Sequence, residues 1–136
     1  MTKNLVLLID RLESEHVEVL GAVALLRPAI ETRDDVALKD ALAAGEQALG
    51  AALTKHSEVE DGDLFPRIAE MIGQGMVGVF IEEHVRIRQL RDEVYDSMGR
   101  GRADFDGCAE LCDLLADHME REDKVLFPAA RGALDD

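Results

Sequence analysis

At 136 residues the chain is one domain of ordinary size, long enough to bury an apolar core without disulfides. Its hydrophobic content of 47% is Leu, Val, Ala, Ile and Met rather than aromatic (four Phe, one Tyr, no Trp), which suits helices better than sheets. The net charge of −14 argues against a nucleic-acid partner, which would need clustered Lys and Arg, and against attraction to an anionic membrane.

The N-terminal apolar run, Leu5 to Ile9, is too short for a signal-peptide core, and no later run is long enough to span a bilayer. Helical periodicity begins there. The first predicted helix covers about Asn4 to Arg27, with Leu5, Ile9, Leu12, His16, Leu20 and Val23 on one stripe. Pro28 and the polar Glu31-Thr-Arg-Asp-Asp35 stretch mark its end, a Pro-kinked extension past Ile30 being the alternative. Thr32 and Asp35 have capping-box spacing ahead of a second helix, about Asp35 to Asp61, which carries Leu38, Leu42, Leu49, Ala52, Leu53, His56 and Glu60. Gly62 and Leu64-Phe65-Pro66 close it, and Pro66 opens a short connecting helix up to Gly73.

A third long helix, about Gly75 to Met98, presents Val77, Phe80, Ile81, His84, Ile87 and Val94 before Gly99 and Gly101 break it. Asp104 or Asp106 caps a fourth, with Leu111, Leu114, Leu115, His118, Glu122 and Val125 inward; Leu126-Phe127-Pro128 ends it and a short acidic tail follows. Four amphipathic helices with short connections imply an all-α, up-down-up-down four-helix bundle, a single domain over residues 1–136 with the bundle at about 4–127. Cys108 and Cys112 are one helical turn apart, poorly placed for a disulfide, and read as free thiols in a reducing cytoplasm.

One phrase occurs twice. His56-Ser-Glu-Val-Glu60-Asp-Gly-Asp-Leu-Phe-Pro66 matches His118-Met-Glu-Arg-Glu122-Asp-Lys-Val-Leu-Phe-Pro128, and the remaining histidines stand in Glu15-His16 and Glu83-His84. On a helix of about 100° per residue, i and i+4 share a face, so each His-x-x-x-Glu aims an imidazole and a carboxylate at one spot. His16 and His84 lie on apolar stripes and point inward as well. A lone inward His is usually a hydrogen-bonded core residue, and a lone His-x-x-x-Glu is usually a surface pair. Six such groups converging on one small bundle are better explained by two cations, because unpartnered buried polar groups cost about 2–7 kcal/mol each. Nitrogen and carboxylate donors without thiolate suit iron, manganese or zinc.

This pattern resembles the hemerythrin-like, or HHE cation-binding, family from about residue 5 to residue 128. The resemblance implies a four-helix bundle around a non-haem di-iron centre, two irons with a bridging oxide or hydroxide. By position, the implied ligands are His16, His56, Glu60, His84, His118 and Glu122, both Glu bridging. The oxygen carriers of the family have a fifth His where this chain has Arg88, and an Asp five residues after the fourth-helix His, which here is Asp123. Position +5 points about 140° from the His on a regular helix, so Glu122 is the better ligand and Asp123 a fallback. Four His and two Glu more closely resemble the iron-centre-repair proteins and the actinobacterial hemerythrin-like proteins associated with peroxide decomposition. The repair proteins usually carry an N-terminal Cys segment absent from this sequence, which favours the second branch.

The expected function is therefore reaction with hydrogen peroxide, catalase-like, in oxidative or nitrosative stress. Reversible oxygen or nitric oxide binding, and iron storage or donation, are the alternatives, and a reductase partner stays open. Among neighbouring residues, Glu15 and Glu83 read as solvent-exposed rather than as acceptors for an imidazole N–H. Arg88 faces inward by helical arithmetic and either snorkels out or pairs with a carboxylate. Tyr95 reads as core, too far from His84 along the helix to ligate, and Met71, Met76 and Met98 read as packing.

Overall fold

A computed structural model describes residues 2–135, and helix accounts for nearly all of them, with no strand among the described residues. Helix α1 is Thr2–Thr32, α2 is Asp35–Ala44, α3 is Leu53–Val59, α4 is Phe65–Ile72, α5 is Gln74–Gly99, α6 is Phe105–Arg121 and α7 is Phe127–Asp135. The bundle has four arms: α1, the broken α2–α3 arm, α5 and α6. Their inward stripes are those the periodicity marks, including Ile9, Leu12, Leu42, Leu53, Val77, Ile87 and Leu115.

Several element ends differ from the sequence reading. Helix α1 runs through Pro28, taking the extended alternative. Pro28 and Ala24 both lie on the exposed face, so the carbonyl left without an N–H is on the wet side, and the Thr32 hydroxyl donates to Pro28 O at 2.9 Å. Thr32 is thus not a cap: Asp34 caps α2 by accepting from the Ala37 N–H at 3.1 Å. Of the two acids offered for α6, Asp104 is the cap, accepting from the Gly107 N–H at 2.8 Å.

The second arm is not one regular helix. It turns at Gly45 and kinks at Gly50 (φ −93°, ψ −105°) within a π-helical stretch, Ala48–Ala52. The Arg91 guanidinium reaches the carbonyls at this kink, Leu49 O at 3.4 Å and Gly50 O (which also accepts from the Leu53 N–H) at 3.5 Å, and donates to Thr54 Oγ1 at 2.6 Å. Gly73 joins α4 to α5 at φ +103°, a conformation that favours glycine.

The Leu-Phe-Pro phrases are not stops. After each His-x-x-x-Glu the helix opens into one π turn, Glu60–Leu64 and Glu122–Leu126, then resumes as α4 or α7. The Phe65 N–H donates to Glu60 O, and the Phe127 N–H to Glu122 O. An i→i+5 turn carries one extra residue, so Glu60, Leu64 and Phe65 are all buried, as are Glu122, Leu126 and Phe127. The proline that follows lacks an N–H and starts the next helical segment without loss. The same extra residue puts Val125, expected inward, on the surface.

Two apolar clusters fill the bundle. One, around Leu26, Leu42, Leu90 and Leu111, packs the end where α1 meets α2. The other, around Ile9, Phe65, Phe80 and Phe127, packs the end closed by α4 and α7. Between them lies a polar layer of His16, His56, Glu60, His84, His118 and Glu122, all buried.

Arg88 is exposed, contrary to the helical arithmetic, because the α5 core stripe runs His84, Ile87, Leu90, Val94 and leaves position 88 about 40° outside it. Tyr95 packs beside the first cluster and its hydroxyl donates to Leu42 O at 2.8 Å. Met71 and Met98 pack against the clusters, while Met76 is exposed.

Cys108 and Cys112 are free and buried in the first cluster. Burial pushes their thiols up to about 12 and about 11. Because the thiolate is the nucleophile, an aromatic disulfide reagent at pH 8 is expected to label the native protein roughly a hundredfold more slowly than the unfolded chain. Equal rates would show that the α6 packing is open.

Candidate metal centre

Each arm of the bundle supplies the site. His16 comes from α1, His56 and Glu60 from α3 and the turn after it, His84 from α5, and His118 and Glu122 from α6 and the turn after it. His16, His56, Glu60 and Glu122 offer ligand atoms all within 4.8 Å of one another, and so do Glu60, His84, His118 and Glu122. Both carboxylates thus belong to both groups. Glu60 Oε1 lies 3.1 Å from His84 Nε2 and 3.5 Å from His56 Nε2, while Glu122 Oε1 lies 3.2 Å from His16 Nε2 and 3.3 Å from His118 Nε2. The structure brings together all six residues that the sequence singles out.

The other ring nitrogen of every His is taken. His56 Nδ1 donates to Glu15, His118 Nδ1 to Glu83, His84 Nδ1 to Asp61 and His16 Nδ1 to Asp123, each at 2.8 Å. A proton held on Nδ1 leaves Nε2 as a lone pair aimed into the site, the tautomer a metal requires. Glu15 and Glu83 are therefore not idle surface acids. Each precedes one His in sequence and holds another on a neighbouring helix. Asp123 sits outside both ligand groups and holds His16.

Arg11 pairs with Glu15 at 3.3 Å, and Arg121 pairs with both Glu83 and Asp117 while lying over the Phe80 ring at 5.2 Å. Phe127 stacks on His16 with ring centroids 5.9 Å apart, and Phe65 stacks on His84 at 5.6 Å. The repeated Phe of the Leu-Phe-Pro phrase thus closes the site against the second cluster.

Seven buried atoms in this layer have no hydrogen-bond partner: Nε2 of His16, His56 and His84, and both carboxylate oxygens of Glu60 and Glu122. Buried polar groups are normally satisfied, and orphans of this kind cost about 2–7 kcal/mol each. Orphaned donors facing one another, with no thiolate among them, fit a pair of cations. Without cations the electrostatics are strained. Burial and the facing Glu122 carboxylate hold Glu60 well above the ordinary carboxyl range. Burial lowers His56, whereas for His16 burial is outweighed by Glu122 together with Asp123, and for His118 by Glu122 together with Glu83, so both of these imidazoles are raised.

The four outer acids were legible in principle. An acid stands beside each of Glu60, Glu122, His16 and His84, as Asp61, Asp123, Glu15 and Glu83. The cross-helix exchange of partners is what adjacency alone does not reveal. Asp123→Ala is expected to weaken metal binding by about 10–100-fold, measured by competition with a chelator. An unchanged affinity would mean that His16 is oriented by packing alone.

Comparison with known proteins agrees with this geometry. A stretch of 83 residues, 60% of this chain, is 29% identical to a protein named DNA nickase from Nostoc sp. (strain PCC 7120), of which it spans only 23%. No solved structure gives a significant match. The pattern of the hemerythrin HHE cation-binding domain matches residues 7–130. Its two overlapping His/Glu groups are consistent with a two-metal site, and the chain belongs to the hemerythrin HHE cation-binding domain family.

Proposed function

We propose that the protein holds two iron ions and disproportionates hydrogen peroxide, two molecules giving one of oxygen and two of water. In this reading His16 and His56 would hold one iron and His84 and His118 the other, with Glu60 and Glu122 available to both. The observation that carries it is the sharing of both carboxylates between two otherwise equal His pairs. Bound irons supply the one-electron steps by which one peroxide is oxidised and another reduced. A structural zinc pair would take the same two His and two shared Glu per ion as a closed four-ligand shell, and it would have no redox chemistry to offer peroxide.

The chain's own residues do the rest. Glu15, Asp61, Glu83 and Asp123 fix the imidazole tautomers. Phe65, Phe80 and Phe127 dry one side of the layer and Leu53, Leu115 and Met119 the other. Arg88 points to solvent, so no fifth nitrogen comes from that position, which leaves both irons room for an exogenous ligand.

The relative's name does not lead to strand scission here. The matched stretch is under a quarter of that protein, and a net charge of −14 disfavours a phosphate backbone. No described helix is long and apolar enough to cross a membrane, and the free thiols suit a reducing compartment such as the cytoplasm.

The test is metal analysis with oxygen evolution. Two irons per chain, and oxygen released from peroxide by wild type but not by His118→Ala or by zinc-loaded protein, is the expected result. A spectrum that changes with oxygen and recovers under vacuum, without peroxide loss, would replace catalysis with reversible binding. Iron passing to an apo iron–sulfur acceptor would make the protein an iron donor.

A further inference from the structure

The two halves of the centre have the same donors, two imidazoles and a share of two carboxylates, so any difference between them lies outside the donor set. Along one imidazole of each half the match continues outward. His16 and His84 each donate from Nδ1 to an Asp at 2.8 Å, and each is stacked on the Phe of a Leu-Phe-Pro phrase. His56 and His118 also begin alike, each held by a Glu at 2.8 Å. Beyond that carboxylate the two halves part.

Behind His118 the contacts close into a ring that ties α5 to α6. Glu83 accepts from His118 Nδ1 with one oxygen and from the Arg121 guanidinium with the other. Arg121 is also tied to Asp117 at 2.9 Å and lies over the Phe80 ring, and Phe80 meets the His118 imidazole edge-on at 5.3 Å. Behind His56 this ring is not repeated. The residue 62 places before Arg121 is Val59, and the one 68 places before Phe80 is Leu12. Glu15 has Arg11 beside it instead, one turn away on its own helix, at 3.3 Å. Arg11 is 54% exposed against 33% for Arg121, and an exposed pair at this spacing constrains little.

We propose that Arg121 is a positioning residue: through Glu83 it locks His118, so that the metal position at His84 and His118 retains its ion while the one at His16 and His56 exchanges. An ion leaves only when its imidazoles turn away, and an imidazole turns only if the group on its Nδ1 lets go or moves with it. Glu15 is free to move with His56, because its cation rides on the same helix and follows it. Glu83 cannot follow His118 without parting from Arg121, which Asp117 and Phe80 hold in place. Glu60 and Glu122 belong to both positions and cannot create the difference. The inference rests on the two-iron reading of the centre but not on peroxide being the substrate.

The test loads the full chain with ferrous ion in the absence of oxygen and follows transfer to a coloured ferrous chelator by absorbance. Wild type is expected to release two ions per chain in two phases of equal size, one about tenfold slower than the other or more. Arg121→Met keeps a side chain over Phe80 and loses both pairs. Its slow phase is expected to quicken about tenfold while its fast phase stays as it was. Asp117→Asn, an exposed change that spares the Glu83 pair, is expected to quicken the slow phase about two- to threefold, and Arg11→Met to alter neither phase by more than about twofold. His16→Ala is expected to hold its single ion at the slow rate. Release of both ions from wild type in one phase would overturn the proposal. So would an Arg121→Met variant that quickens both phases alike, as loosened packing would, or that changes neither, and so would fast loss of the ion from His16→Ala. Wild type that loads fewer than two ions would overturn the two-metal reading along with it. Two phases from a protein that leaves peroxide intact would remove the proposed reaction and leave the clamp standing.

Discussion

Glu122→Leu is expected to empty both metal positions at once. Glu122 belongs to both four-residue groups, so its loss takes a donor from each ion, and Glu60 alone then bridges two cations held otherwise only by imidazoles. The fall in affinity is expected to exceed the about 10–100-fold that attaches to an outer carboxylate. His16→Ala differs in kind: it strips one group and leaves His84, His118 and both Glu in place, so about one ion per chain is expected to remain. Metal analysis after gel filtration separates the two outcomes. One ion retained by Glu122→Leu would show that the carboxylate is not shared. The metal-free variant carries a second signature. Glu122 is also the counter-charge of His16 and His118, and against its burial its neighbours hold its carboxyl well below the ordinary range, so its removal leaves two buried imidazoles unpaired and metal-free Glu122→Leu is expected to melt below metal-free wild type.

Metal is expected to raise the melting temperature of wild type steeply. A ligand present at a thousand times its Kd adds about 4 kcal/mol to the folded state, and for a chain of this size each kcal/mol moves Tm by several degrees. Saturation with iron should therefore raise Tm on the order of 10–20 °C, and chelation should reverse it. The reason lies in the polar layer. Seven unpartnered buried atoms between two apolar clusters are a defect in the metal-free protein, and cations turn the same atoms into cross-links among all four arms. A rise of only a few degrees, or an equal rise with magnesium, would mean that the layer is satisfied by other means. Calorimetry with and without chelator decides.

The bundle and the six central residues were legible because both depend on periodicity, which a helix converts directly into direction. Inward histidines on apolar stripes cannot be hidden by changes at the helix ends. What escaped the sequence depended on departures from 3.6 residues per turn and on packing between helices. The π turns after Glu60 and Glu122 moved Val125 outward and Phe127 inward, and turned an apparent helix stop into continuation. Arg88 was misplaced because the stripe on α5 advances by threes after His84. Glu15 and Glu83 were read as surface because adjacency on one helix separates two side chains, whereas their partners lie on other helices.

The π turns also sort the repeat into committed and tolerant positions. Between Glu60 and Phe65, and again between Glu122 and Phe127, stand four residues, Asp-Gly-Asp-Leu against Asp-Lys-Val-Leu, and only the middle two differ. Asp61 and Asp123 hold His84 and His16, and Leu64 and Leu126 are buried, so the outer two of each four are bound to their places. An ordinary α turn would put Leu and Phe at +3 and +4 from the Glu, on the same face, so the residue that each wide turn adds belongs to the middle pair, where the two copies of the phrase have drifted apart.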